Sequence, residues 1–102
     1  MPRYDCDMGN PLDMLAEECA EVVQALMKIR RFGHTPLNFN PETGRSSRDG
    51  LVQELGDVLA VIDILMDRGD LSATELEAAK QRKFAQLEDY FGYRHPALGK
   101  TK

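Results

Sequence analysis

Apolar residues recur near the start of the chain at Leu12, Leu15, Cys19, Val22, Val23, Leu26 and Ile29, mostly in steps of three and four. That is the period of an amphipathic α-helix. Asn10 stands ahead of Pro11 and Asp13, which gives an N-cap, a proline at the first helical position and an acid in the first turn. Gly33 follows the last apolar position, so the pattern predicts a helix from about residue 11 to about Arg31. A second periodic stretch begins near Ser47 or Asp49 and runs through Leu51, Leu55, Val58, Leu59, Val61 and Leu65 to about Gly69. Beyond Asp57 it is apolar on nearly every face, and a helix of that kind needs partners all round. Three helices of one small chain can hardly supply them, so oligomerisation through this helix is expected. Ser72-Ala73-Thr74-Glu75 is a capping box opening a third helix, which continues through Leu76, Phe84, Leu87 and Tyr90 to Gly92.

Between the first two helices, residues 32–48 carry Gly33, Pro36, Pro41, Gly44, Ser46 and Ser47, which is loop composition. A loop so long in a small domain is expected to have a role, as a lid or a substrate-contacting segment. Residues 93–102 form a basic tail with Pro96 and Gly99, expected either to be disordered or to fold over a site. The predicted architecture is an all-α helical bundle completed by oligomerisation. It is expected to be one domain over 1–102, with a core of about 10–91 and a tail of 92–102.

Composition narrows the function. In 102 residues, 17 acids outnumber 13 basic residues and the net charge is −4. No broad positive field is available to hold nucleic acid by counterion release, so no nucleic-acid partner is expected. The amino terminus lacks the apolar stretch of a signal peptide and no apolar run reaches the length of a membrane span, so no membrane is expected and the location is taken as cytoplasmic. Cys6 and Cys19 show no metal-binding spacing. Both are read as reduced thiols, with Cys19 expected to be buried as a packing residue.

The acids are grouped. Glu18 and Glu21 fall about 60° apart around the first helix and Glu17 and Glu21 about 40°, so three carboxylates crowd one stripe. Glu54 and Asp57 repeat the i, i+3 spacing on the second helix. Most charge-rich helix faces are simply solvated, and one such pair would mean little. Here, however, Asp57 is embedded among Leu55, Val58 and Leu59, and an acid pair in a helix that favours burial is costly unless it is paired or metal-bound. Antiparallel packing of the two helices would set the acidic pairs opposite one another in an oxygen-only cage suited to Mg²⁺, with Mn²⁺ able to substitute. Helical di-iron sites use a Glu-x-x-His pair, and neither acidic pair here has a histidine three residues on. His34 and His95 are expected in solvent or on the substrate side.

Glu17-Glu18-Cys19-Ala20-Glu21 followed by Glu54-Leu55-Gly56-Asp57 resembles the EExxE…ExxD signature of the all-α, MazG-like NTP pyrophosphatases, over about Leu12 to Tyr90. The loop Asn40-Pro41-Glu42-Thr43-Gly44 resembles that of the short, single-domain members found in phage genomes, which would place the protein in a host cytoplasm. The resemblance implies that Glu18, Glu21, Glu54 and Asp57 are the metal ligands and that Glu17 orients or deprotonates the attacking water. It implies conversion of a (deoxy)nucleoside triphosphate and water to the monophosphate and pyrophosphate. It further implies a homodimer or homotetramer, and by analogy guanine nucleotides such as dGTP or GTP.

Gly56 is expected to allow close helix approach. Lys80 and Lys83 are the first candidates for phosphate contacts, with Lys28, Arg31, Arg45 and Arg48 as others. Asn38 and Asn40 are candidates for the base edge, and Phe32, Phe39 or Tyr93 for stacking on the ring. Phosphoribosyl-ATP pyrophosphatase fits the same motif. A non-catalytic helical oligomerisation or regulatory module is the reading from another class, whereas Nudix hydrolysis is disfavoured because its REx₂EE core is missing.

Overall fold

A computed structural model of the chain describes residues 9–32, 39–40 and 45–98, with side chains described outside 32, 39, 40, 45 and 97. It is helical: α1 spans Pro11–Phe32, α2 spans Ser47–Arg68 and α3 spans Ala73–Phe91. Two short strands, β1 (Phe39–Asn40) and β2 (Arg45–Ser46), pair antiparallel ahead of α2, and a 3₁₀ turn covers Pro96–Leu98. The all-α architecture expected from the periodicity is observed, and part of the loop over 32–48 is a small hairpin. The chain forms two compact units, residues 1–68 and 69–102.

In the first unit, α1 starts as its sequence dictates. The Asn10 side chain accepts from the Leu12 N–H at 2.9 Å, and the Asn10 carbonyl accepts from the Met14 N–H at 3.0 Å. At the start of α2 the Ser46 N–H donates to the Asp49 carboxylate at 3.1 Å while the Asp49 N–H donates to the Ser46 hydroxyl at 3.0 Å. This reciprocal cap makes Ser46 the N-cap, so the helix begins with Ser47.

α1 packs along α2. The half-buried side of α1 carries Leu15, Glu18, Val22, Ala25 and Ile29, and α2 contributes the fully buried Leu65 and nearly buried Val61. Burying a leucine to that degree stabilises the fold by about 1.5–3 kcal/mol. Two expectations are corrected. Cys19 is exposed, because it lies about 100° around α1 from Glu18, off the side that faces α2. Gly56 is not required by helix packing, since a Cβ there would meet nothing within 4 Å. The apolar surface of α2 is covered only in part: Leu59 remains 61% exposed.

In the second unit, the Ser72 hydroxyl accepts from the Glu75 N–H at 3.3 Å and caps α3. The helix closes at Gly92, whose φ of 70° is the left-handed conformation that favours glycine, and its N–H donates to the Glu88 carbonyl at 2.9 Å. Arg94 grips Glu88 with both carboxylate oxygens at 2.7 and 2.6 Å and donates to the Leu98 carbonyl at 3.0 Å. His95 stacks on Phe84 with ring centroids 4.0 Å apart and planes 6° from parallel. Residues 93–98 of the tail therefore fold back along the end of α3; His95 is held against an aromatic ring, not free in solvent.

Candidate metal centre

Glu18 and Glu21 on α1 and Glu54 and Asp57 on α2 converge. One oxygen from each lies within 4.8 Å of every other. The i, i+3 spacing makes each pair neighbours on its own helix. Glu18 hydrogen-bonds Asp57 and Glu21 hydrogen-bonds Glu54. Higher numbers on one helix thus meet lower numbers on the other, which is the antiparallel register. Glu18, Glu54 and Asp57 are half-buried, and Glu21 is exposed.

The electrostatics record the crowding. Glu18 is raised above the ordinary carboxylate value of 4.5, first by desolvation and then by the charges of Glu21, Asp57 and Glu17. Glu54 is raised first by its hydrogen bond with Glu21, then by desolvation and the charges of Glu21, Asp57 and Glu18. A hydrogen bond between two carboxyl groups needs a proton on one of them. Each of these causes makes the full negative charge of the cluster costly without a positive partner.

The residues fit a divalent ion on three counts. All four donors are carboxylate oxygens, the chemistry that Mg²⁺ and Mn²⁺ take. The Glu18 Oε2 atom is buried and has no hydrogen-bond partner, an acceptor left for a further group. Octahedral Mg²⁺ with bonds of about 2.1 Å spans about 4.2 Å between opposite ligands, so a cluster within 4.8 Å needs little closing.

The other residues singled out from the sequence are dispersed. Glu17 is exposed on α1 beside the cluster, where its charge helps to raise Glu18. Lys28 and Arg31 are exposed toward the end of α1. Lys28 lies about 20° around the helix from Glu21 and about 10 Å further along. Lys80 and Lys83 are exposed on α3, in the second unit, and Lys80 pairs with Glu77 at 3.4 Å. Asn38 and His34 lie outside the described residues, as do the side chains of Phe32, Phe39, Asn40 and Arg45. Tyr93 packs at a tilt of 53° against His95, with centroids 6.1 Å apart. Sequence reasoning missed the Arg94–Glu88 clasp, for which no spacing rule exists, and the reciprocal bonds of Ser46 and Asp49, for which the S-x-x-D pattern was present.

Two helices that converge four carboxylates on a cation-sized space define an acidic oxygen-donor centre on an α-helical scaffold. The family described as the MazG nucleotide pyrophosphohydrolase domain matches residues 10–89, and the chain belongs to that family. The match spans α1, α2 and most of α3, including all four converging acids. No curated protein and no solved structure matched the chain. Among the described residues no helix is long and apolar enough to cross a membrane.

Proposed function

We propose that the protein is a divalent-cation-dependent (deoxy)nucleoside triphosphate pyrophosphohydrolase acting in the cytoplasm as a homo-oligomer, dimer or tetramer. The observation that carries this reading is the four-carboxylate cluster with its unpartnered Glu18 oxygen, set in a chain of the MazG family.

Glu18, Glu21, Glu54 and Asp57 would hold Mg²⁺, or Mn²⁺ in its place. When bound, the cation supplies neutralisation of the phosphate oxygens and a lowered pKa for water. Glu17 is exposed and one turn from Glu21, free to accept the proton of the attacking water. The water oxygen bonds to the α-phosphorus as the bond to the bridging oxygen breaks, and pyrophosphate leaves with the electron pair. Lys28 follows Glu21 on the same stripe, and helical side chains lean toward the helix N-terminus. Its ammonium would thereby reach back toward the cluster, suited to the β- and γ-phosphates. Arg31, Lys80, Lys83 and Asn38 remain candidates for further substrate contacts.

On the resemblance to phage-type relatives, dGTP and GTP are the first substrates to test. A panel of ribo- and deoxynucleoside triphosphates with phosphoribosyl-ATP, assayed for pyrophosphate release with Mg²⁺, decides the substrate class. Release from ordinary triphosphates is expected. Release from phosphoribosyl-ATP alone would move the protein to histidine synthesis, and release from none would favour a non-catalytic module.

A further inference from the structure

Two glycines lie inside α2, and neither is there for backbone or packing reasons. Glycine within a helix is unfavourable relative to alanine. The positive-φ glycines are Gly9, Gly69 and Gly92, so Gly50 and Gly56 keep conformations open to any residue. Among the described residues, a Cβ on either would meet nothing within 4 Å. The two differ in where that space lies. Gly56 is exposed and lies about 100° around α2 from Asp57 and about 160° from Glu54, off the side that carries the acids. Gly50 is half-buried, about 40° from Glu54 and about 20° from Asp57, and about 6 Å from Glu54 toward the start of the helix. Its open space is therefore a recess next to the acidic cluster.

The facing helix continues the same way. The register that pairs Glu18 with Asp57 and Glu21 with Glu54 sets Ala25 level with Gly50 and Lys28 level with Ser47. Ala25 lies about 40° and Lys28 about 20° around α1 from Glu21, so both follow the acids along one edge. One turn beyond the cluster an alanine faces a glycine. One turn further stands a lysine beside the first turn of α2, the positive end of that helix. Along this line the charge passes from four carboxylates, through a narrow uncharged recess, to a cation. A metal-bound phosphate chain has the complementary order, with cation-bound oxygens at one end and free anionic oxygens at the other.

We infer that the triphosphate runs from the acid cluster through the recess at Gly50 to Lys28, with its γ-phosphate toward the start of α2. Gly50 keeps that passage open, and the nucleoside leaves the cluster in the other direction. The inference rests on the triphosphate reading of the site and adds to it the direction of the chain.

Titration calorimetry of inorganic tripolyphosphate into Mg²⁺-saturated protein tests the path independently of the base. Wild-type protein is expected to bind it. Gly50→Leu is expected to weaken binding by about tenfold or more, with Mg²⁺ affinity unchanged. Lys28→Ala, at an exposed position, is expected to weaken it by about 10- to 100-fold and keeps the path testable even where Gly50→Leu unfolds the chain. Gly50→Ala is expected to melt no lower than the wild type. Gly56→Leu, the same change on the exposed side, is expected to leave tripolyphosphate affinity unchanged. Wild-type affinity in Lys28→Ala or in folded Gly50→Leu, or an equal loss in Gly56→Leu, would overturn the path alone. A wild type that binds Mg²⁺ but no tripolyphosphate would overturn the path together with the hydrolase reading.

Discussion

Adding a divalent cation to chelated protein is expected to stabilise it, and the size of the effect follows from the cluster. Four carboxylates lie within 4.8 Å of one another, and two of them are raised above the ordinary value because the charged forms repel and are desolvated. A chain unfolded around that site has no such convergence and binds the ion far more weakly. The stabilisation is then RT ln(1 + [M²⁺]/Kd), about 2.7 kcal/mol at a hundredfold excess over Kd. For a chain of this size each kcal/mol moves Tm by about 4–8 °C, so the shift is roughly 10–20 °C. Differential scanning calorimetry with Mg²⁺ or Mn²⁺, against NaCl at matched ionic strength and with Kd from titration calorimetry, reads it. Glu21→Gln and Asp57→Asn should each reduce the shift sharply at the same metal concentration. A wild-type shift no larger than the NaCl control, or an equal shift in both variants, would refute the reasoning.

Three further outcomes are expected. In chelator, Glu18 and Glu54 are raised in the fold, so their contribution to stability is fully present below about pH 4.5 and is lost as pH rises through their folded values. Comparing Tm with Glu18→Gln across pH 4 to 8 should therefore show the variant gaining on the wild type toward neutral pH; parallel curves would contradict it. Leu65→Ala, at a fully buried position, should cost about 2–5 kcal/mol in urea unfolding, and a loss below 1 kcal/mol would mean that the site is not core. Ser46→Ala removes the hydroxyl that accepts from Asp49 and should cost about 0.5–2 kcal/mol in the same assay, with no change in metal affinity.

What was legible in the sequence is what depends on neighbours along the chain. The caps at Asn10 and Ser72 and the αL stop at Gly92 follow from local hydrogen bonding, and the structure forms them. The four acids were legible because helical period puts i and i+3 side by side and antiparallel packing is the only way a helical hairpin can face them. Cys19 was misplaced for a related reason. The apolar positions of α1 span a wider arc than α2 covers, and periodicity alone did not tell the positions facing α2 from the exposed ones beside them. The stacking of His95 on Phe84 and the clasp of Arg94 on Glu88 depend on the chain reversing after Gly92, a tertiary event with no fixed spacing. Basic residues such as Lys80 were the least readable, since long cations find local partners such as Glu77 wherever one lies a turn away.

The central claim, that the cluster converts a nucleoside triphosphate with the help of a divalent ion, is tested most directly by product chromatography of dGTP incubated with the protein and Mg²⁺. Wild-type protein is predicted to give dGMP and pyrophosphate in equal amounts, with no product in chelator and turnover abolished in folded Glu21→Gln and Asp57→Asn. Formation of dGDP and phosphate, or full turnover by both variants, would contradict the account.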